Sequence, residues 1–295
     1  MIPDTYLSIV GLQNAPLFSI QDRKKFMKER ERESRFKLTI LFKKIINNFL
    51  SRFGYIITKT KKQFVNIDNL FKIIIDYNPI IFDVGANKGQ SIKMFKNIYP
   101  NSFIHSFEPI EEEVKILKNL YESNESIILN NVAVGDKKEK KKFNYNIISG
   151  HSSFNSVIQN TTWIKKRSNT VKIDPLNYTL ETRDVDIIRL DDYTSENNIK
   201  EIDILKIDTQ GYESKVLNGC TNLLKKNSIK VIKLELIFSE IYENPLNIYD
   251  VEKYLIPNGY KLFAISNAGN LYSNYIFQID FIYVSNEIYL KFKKN

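Results

Sequence analysis

Ile80-Ile-Phe-Asp-Val-Gly-Ala-Asn-Lys-Gly89 decides the fold of this 295-residue chain. The apolar residues Ile80, Ile81, Phe82 and Val84 lead straight into two glycines, and Ile92, Phe95, Ile98 and Tyr99 then follow at helical spacing. A buried strand, a glycine turn and a helix in that order make the first βα unit of a nucleotide-binding sheet. Gly85 and Gly89 permit a tight turn and let the backbone come close to a ligand. Asp83 stands at the carboxyl end of the strand, where open α/β sheets bind their ligands. The turn points to a nucleotide-like cofactor without choosing one.

Downstream, strands and helices alternate as a parallel sheet demands. Phe103–Phe107 reads as a second strand ending at Glu108-Pro109, followed by a helix over Glu111–Tyr121. Ile127–Val134 reads as a third strand closed by Gly135-Asp136, and Lys137–Lys142 as a basic edge continuing into Phe143-Asn-Tyr145. Ser149–Tyr178 lacks clear periodicity and carries Gly150-His-Ser-Ser-Phe154 and the only tryptophan, Trp163; loops of such length are usually functional or mobile. Asp186–Tyr193 reads as a short strand and a turn. Ile202–Asp208 is a fourth core strand, with a helix after Thr209-Gln-Gly-Tyr-Glu213 running to about Leu224. Ile229–Phe238 is a fifth, and a helix carrying Tyr249, Val251, Leu255 and Ile256 follows. Tyr260–Ile265 and Ile276–Val284, either side of Asn267-Ala-Gly-Asn270, suggest an antiparallel pair on an otherwise parallel sheet.

Upstream, the pattern changes. Residues 1–65 hold 14 Lys/Arg against 5 Asp/Glu, an excess equal to the net charge of +9 on the whole chain. The remainder is therefore neutral, which argues against a nucleic-acid groove across the main domain. Two domains are expected: a basic helical extension over 1–65 and a cofactor-binding domain over 66–295. Residues 21–35 read as a charged helix, and Leu38, Leu41, Phe42, Ile45, Ile46, Phe49 and Phe53 would give a helix over 36–53 one apolar face. That face could pack on the main domain, form a homodimer, or lie on an anionic membrane surface as a peripheral contact. Tyr55–Val65 reads as a short strand or hairpin, and Ile67–Tyr77 as a helix leading into the first core strand.

An apolar content of 43% supports a sizeable core. The single cysteine, Cys220, excludes an intramolecular disulfide, and two histidines argue against a zinc cluster. No apolar run reaches the length of a membrane span, and the first twenty residues show no basic segment ahead of an apolar one. Cytoplasm is the expected location, with the inner membrane surface as an extension of it.

Two cofactors compete for the glycine turn. A dinucleotide fingerprint needs glycine at positions 85, 87 and 90, and positions 87 and 90 are Asn87 and Gln90. A strand ending D-x-G-x-x-x-G, with an acid closing the second strand, suits S-adenosylmethionine instead. The 85–89 backbone can approach the methionine end, and the Glu108 carboxylate can accept hydrogen bonds from both ribose hydroxyls. Asn131, Val132 and Ala133 close the third strand where the adenine ring would sit. The cofactor-binding set is then Asp83, Gly85, Ala86, Asn87, Gly89, Gln90, Glu108, Pro109, Asn131, Val132 and Ala133.

Asp83-Val-Gly-Ala-Asn-Lys-Gly89, Ser106-Phe-Glu-Pro109, Asn131-Val-Ala-Val-Gly-Asp136, Arg189-Leu-Asp-Asp-Tyr193 and Leu205-Lys-Ile-Asp-Thr-Gln-Gly-Tyr-Glu213 together resemble the FkbM family of S-adenosylmethionine-dependent O-methyltransferases. The resemblance spans roughly Ile80 to Ser285 and keeps the motif order, but does not reach residues 1–50. It departs from the family at Gln210, where a glutamate is usual. The resemblance implies an α/β, Rossmann-like class I methyltransferase fold: seven strands, mostly parallel, with an antiparallel last strand. It also implies an acceptor hydroxyl on a sugar, glycan or polyol natural product.

Methyl transfer to a hydroxyl requires alignment of donor and acceptor and a group to accept one proton. Asp208, ending the fourth strand beside the first, is the leading base, or else a cap of the following helix. Glu213, in the first turn of that helix, Glu235, inside an apolar strand, and His151, on the long loop, complete the catalytic candidates. Asp208, Glu213 and Glu235 together could also hold a divalent cation, though no metal ligand is assigned. The competing functions are a nucleic-acid methyltransferase and a non-catalytic S-adenosylmethionine-binding scaffold.

Overall fold

The computed structural model describes residues 67–266 and 276–293. The elements expected over 21–35, 36–53 and 55–65, and the turn at 267–270, lie outside the described residues. All of the latter belong to the second of two compact units, Phe64–Asn295.

The chain opens with α1 (Ile67–Ile74), β1 (Ile80–Val84), α2 (Gln90–Ile98), β2 (Phe103–Phe107), α3 (Glu111–Tyr121), β3 (Ile127–Asn130), β4 (Ala133–Val134) and β5 (Glu139–Asn146). It continues through α4 (Thr162–Val171), β6 (Thr179–Ile188), α5 (Leu190–Glu196), β7 (Ile202–Ile207), α6 (Glu213–Asn218), α7 (Thr221–Lys225) and β8 (Ile229–Ile237). It closes with α8 (Ile248–Leu255), β9 (Lys261–Ile265), β10 (Gln278–Val284) and α9 (Asn286–Lys293).

Seven strands form one sheet in the order β3-β2-β1-β7-β8-β10-β9, and β4-β6-β5 form a separate three-stranded sheet. β10 runs antiparallel to both β8 and β9, and the remaining ladders of the large sheet are parallel. This is the mostly parallel, Rossmann-like sheet with an antiparallel last strand that the sequence predicts. Strand alternation sends side chains to two cores. Ile81, Ile104, Ile204 and Val231 pack with Phe71 of α1 and Phe95 of α2. Phe82, Phe107, Leu205, Ile207 and Leu234 pack with Val216, Leu217 and Val251 on the other face. Strand order reverses between β1 and β7, so their carboxyl ends open a crevice of the kind in which such sheets bind ligands.

Four details differ from the sequence expectation. The third strand is two: Asn131 Nδ2 donates to the carbonyls of Glu108 (3.0 Å) and Pro109 (3.1 Å), turning the chain out of the large sheet, and Ala133–Val134 pair with Ile187–Ile188 of β6. The long aperiodic stretch contains α4, whose first turn is capped by Thr161 Oγ1 accepting from Ile164 N at 3.2 Å. Its sequence, Thr-Trp-Ile-Lys-Lys-Arg-Ser-Asn-Thr-Val, buries only Trp163, Ile164 and Ser168, which leaves too narrow an apolar face to read. β6 begins earlier than expected because its exposed residues Glu181, Asp184 and Asp186 mask the alternation, and Leu190 opens a helix rather than a turn. Finally, the helix after Glu213 breaks in two at Gly219, which packs so tightly that a β-carbon there would lie 2.0 Å from the Gly135 carbonyl oxygen.

The same geometry explains the Arg189-Leu-Asp-Asp-Tyr193 motif as scaffold. Asp191 accepts from Asn222 N (3.0 Å) and Leu223 N (3.1 Å), capping α7, and pairs with Arg189 at 3.1 Å. Tyr193 packs its ring edge against Phe82 and Phe107 and hydrogen-bonds His105 Nδ1 at 2.8 Å.

Candidate active site

A cavity of about 290 Å³ opens at the carboxyl ends of β1, β2 and β7, close to the range of small-molecule sites. Its walls come from the glycine turn, the β2 end, Ala133 and Val134, the 149–154 segment and the 208–212 loop.

The glycine turn is held by its own backbone. Gly85 N and Ala86 N donate to Phe107 O at 3.0 and 3.2 Å, and Gly85 takes φ +80. Glu108 then anchors the turn: Asn87 N donates to Oε2 at 2.7 Å and Ile110 N to Oε1 at 2.8 Å. Burial pushes the Glu108 carboxyl up to about 7, against these two donors and the more distant Lys206. Each oxygen keeps lone-pair capacity for a second donor, so a ribose diol facing the cavity fits Glu108.

Beneath the turn lies an ion row. Asp83 and Lys206 are register partners on β1 and β7. Asp83 is wholly buried and accepts no hydrogen bond of regular geometry among the described residues, but Lys206 Nζ lies 3.1 Å from its Oδ1. The same ammonium donates to Gly85 O at 2.7 Å and stands 3.7 Å from Asp208 Oδ2. Burial pushes the lysine pKa down, and Asp83 and Asp208 more than restore it, so the group sits above its ordinary value.

Asp208 lines the cavity with a side chain 36% exposed, and Gln210 Nε2 donates to its Oδ1 at 2.9 Å. Gln210, at φ +57, also accepts from Tyr242 OH at 3.0 Å. A glutamate at this position would set a second anion against Asp208, whereas the amide supplies a donor. Glu213 is turned away from the cavity to the loop itself: its Oε1 accepts from Thr209 N (2.9 Å), Thr209 Oγ1 (3.1 Å) and Gly211 N (3.2 Å). Burial raises its carboxyl to about 7.

The 149–155 segment is sewn to both sides of the crevice. Asn87 Nδ2 donates to Ser149 Oγ (3.2 Å), Ser153 Oγ to Gln210 O (2.7 Å), and Asn155 Nδ2 to Gly211 O (3.0 Å). Phe154 contacts the Tyr212 ring at 4.4 Å and the Phe143 ring at 4.9 Å, giving the cavity an aromatic wall with Lys141 over Phe154 and Tyr212.

Of the residues predicted from sequence, Gly85, Ala86, Asn87, Gln90, Glu108, Pro109, Ala133 and Asp208 line the cavity. Asp83 lies beneath it, joined through Lys206. Gly89 packs instead against α3, where a β-carbon would meet Leu117 at 2.7 Å. Asn131 commits its amide to backbone carbonyls, and Val132 packs against the core. His151 lies outside the lining, with Nδ1 2.6 Å from Tyr178 OH and its ring 5.0 Å from Trp163; burial, then Arg167, lowers its pKa to about 4. Glu235 accepts from Gln278 Nε2 at 2.7 Å, opposite Asp280, and burial, then Asp208 and Asp280, raises it to about 8. Among the described residues no group of three or more His, Cys, Asp or Glu side chains is arranged to hold a metal ion, and no helix is long and apolar enough to cross a membrane.

Lys206 and Tyr242 were not singled out from sequence. The lysine left a signal: a cation in a buried, mostly apolar strand, two residues before Asp208. Tyr242 follows β8 in an irregular segment and left none.

The chain is similar to several known proteins. The family described as Methyltransferase FkbM domain matches residues 83–262. Over 174 residues the chain is 28% identical to the 2-O-methyltransferase NoeI of Sinorhizobium fredii, covering 57% of this chain and 68% of that one. Among solved structures it is similar to the methyltransferase FkbM of Methylobacillus flagellatus, with TM-score 0.44 and 13% identity over 70% of this chain and 43% of that chain. It is also similar to a Burkholderia thailandensis 1,6-didemethyltoxoflavin-N1-methyltransferase solved with S-adenosylhomocysteine, with TM-score 0.41 and 6% identity over 92% of each chain.

Proposed function

The chain belongs to the FkbM family of methyltransferases, and on that premise we propose that it uses S-adenosylmethionine to methylate a hydroxyl of a sugar, glycan or related polyol. The observation that carries this reading is the convergence of the Gly85 turn, Glu108 and Asp208 on one cavity. The 2-O-methyltransferase relative supports oxygen as the acceptor atom.

S-Adenosylmethionine would supply an electrophilic methyl group on a sulfonium that leaves as a neutral thioether. The chain's own residues do the rest. Glu108 orients the ribose through its two oxygens, and Ala133, Val134 and the Phe143–Phe154 wall give an apolar surface for the adenine ring. The backbone of the Gly85 turn admits the methionine end. Asp208 lines the cavity and is bonded by Gln210, which supports it as the group that accepts the acceptor's proton. The Gln210–Tyr242 and Glu213–Thr209 bonds fix the loop that carries it. Glu235, on the adjacent strand, accepts from Gln278 Nε2 outside the cavity lining, and we assign it no step.

The test is calorimetric titration of S-adenosylmethionine and NAD, then methyl transfer from labelled donor to a panel of sugar nucleotides and glycans. Binding of the former alone, with label in a sugar and loss of turnover in Asp208→Asn, supports the reading. Tight donor binding without turnover on any glycan would favour the scaffold reading, and label in RNA the nucleic-acid one; the charge-neutral main domain speaks against the latter. The sequence of 36–53 further supports contact with an anionic membrane or with a second copy. Liposome flotation at low and high salt and sedimentation separate these, and neither floating nor dimerising would discard both.

A further inference from the structure

The floor of the cavity carries an unbalanced charge. Asp83 and Lys206 lie side by side on β1 and β7, and Asp208 follows two residues on, just past the end of β7. One ammonium therefore serves two carboxylates, at 3.1 Å from Asp83 and 3.7 Å from Asp208. Lys206 and Asp83 are almost completely buried, while Asp208 opens to the cavity. Among the described residues Lys206 is the single cationic side chain of the cavity lining. Counted formally, the row has one surplus negative charge, and water is excluded from all but its Asp208 end. A charge so placed favours a ligand atom of opposite sign, because partial burial weakens solvent screening.

The donor and product of methyl transfer differ in this respect. S-Adenosylmethionine carries a sulfonium, whereas S-adenosylhomocysteine is a neutral thioether of nearly the same shape. We propose that Asp83, Lys206 and Asp208 form a charge-selecting floor that favours the sulfonium donor over the spent thioether, with Lys206 setting the size of that preference. The proposal rests on the reading of S-adenosylmethionine as the donor. Glu108 feels the charge of Lys206, and Glu213 and Glu235 that of Asp208, so the variants are compared by the sign of the change in the ligand ratio. Lys206 is a positioning residue here, because it acts through the two aspartates and the Gly85 carbonyl.

A purely structural role for the row predicts something different. Loosening the Gly85 turn would weaken both ligands alike and leave their affinity ratio unchanged. The charge role moves the ratio with a sign set by the residue removed. Asp83→Asn and Asp208→Asn erase the surplus and lower the preference for the sulfonium. Lys206→Met removes the ammonium beside Asp208 and raises that preference, even if both affinities fall.

The experiment is calorimetric titration of S-adenosylmethionine and S-adenosylhomocysteine into the full-length wild type and these three variants, with thermal unfolding of each. The ratio of the two dissociation constants is expected to shift against the donor by about threefold to tenfold in both asparagine variants, as for one partly screened charge, and toward it in Lys206→Met. A ratio constant within about twofold across all proteins overturns the proposal and leaves the donor reading standing. Failure of the wild type to bind either ligand removes the donor reading and the proposal together. If Lys206→Met does not fold, the two asparagine variants decide the matter, Asp208 being exposed enough to replace without a core defect.

Discussion

A β-carbon added to Gly85 would meet the carbonyl oxygen of Asp208 at 1.9 Å. The donor turn and the loop bearing the proposed base are thus in backbone contact, with no room for a side chain between them. Gly85 also takes φ +80, which costs an L-residue roughly 1–2 kcal/mol before any clash. Gly85→Ala is expected to lower the melting temperature and to abolish donor binding, because either β1 or the 208–212 loop must move. Calorimetry and a thermal melt check both effects, and unaltered affinity would show the turn to be more compliant than drawn.

Glu108 holds two backbone N–H groups as well as facing the cavity. Glu108→Ala leaves both donors buried without an acceptor, at about 1–3 kcal/mol each, and should destabilise the fold visibly. Glu108→Gln keeps one of them and should lose donor affinity by more than about tenfold for a smaller loss of stability. Denaturant unfolding alongside titration separates the two effects.

Glu213 would act at one remove. With three donors converging on its Oε1, Glu213→Ala should free the 209–211 backbone, accelerate amide exchange at Thr209 and Gly211, and lower turnover through Asp208. Exchange confined to global unfolding would contradict this.

His151 and Asp208 should respond differently to substitution. The imidazole is pushed down to about 4 by burial and the nearby Arg167, so it is neutral over the working range and is not the source of an inflection near neutral pH. His151→Phe should lower activity through the 149–155 wall while the shape of the pH–rate profile persists. Asp208→Asn should lower kcat by about 100-fold or more.

Stability itself should depend on pH. Burial, with Asp208 and Asp280 nearby, raises Glu235 from 4.5 to about 8 in the folded chain. A folded value above the unfolded one means that this carboxyl's contribution is complete below about pH 4.5 and is lost as the pH rises toward about 8. Glu108 and Glu213, each raised to about 7, act in the same sense. The melting temperature should fall between about pH 5 and about pH 8.5, and Glu235→Gln should flatten part of that fall. An unchanged slope would exclude a protonated Glu235 in the native state.

The large sheet was legible because its central strands are buried on both faces. Ile80–Val84 and Ile202–Ile207 are apolar runs bounded by turn residues, and that signal survives in one sequence. The smaller sheet was less so, because β6 alternates with charges toward solvent and pairs Lys140 and Lys142 of β5 with its own Asp186 and Asp184. Short-range chemistry put Gly85, Glu108 and Asp208 at one crevice. It could not assign Glu213 to its loop or His151 to Tyr178, since those partners are fixed only when distant segments pack. Asn131 shows the same limit: its side chain reads as a site residue in sequence, and packing makes it the pivot between two sheets.

Among the described residues the strands β4, β6 and β5 form ladders only with one another, and β4 itself begins where the chain leaves the large sheet. The wall they support meets the crevice mainly through side chains, at Ser149, Ser153, Phe154 and Asn155. Residues 147–178 contribute no strand to the seven-stranded sheet, so exchanges there that keep the Ser153 and Asn155 bonds act on the crevice wall rather than on its ladders. A protein assembled this way can diversify what it recognises on one side of its crevice while inheriting the machinery on the other side unchanged.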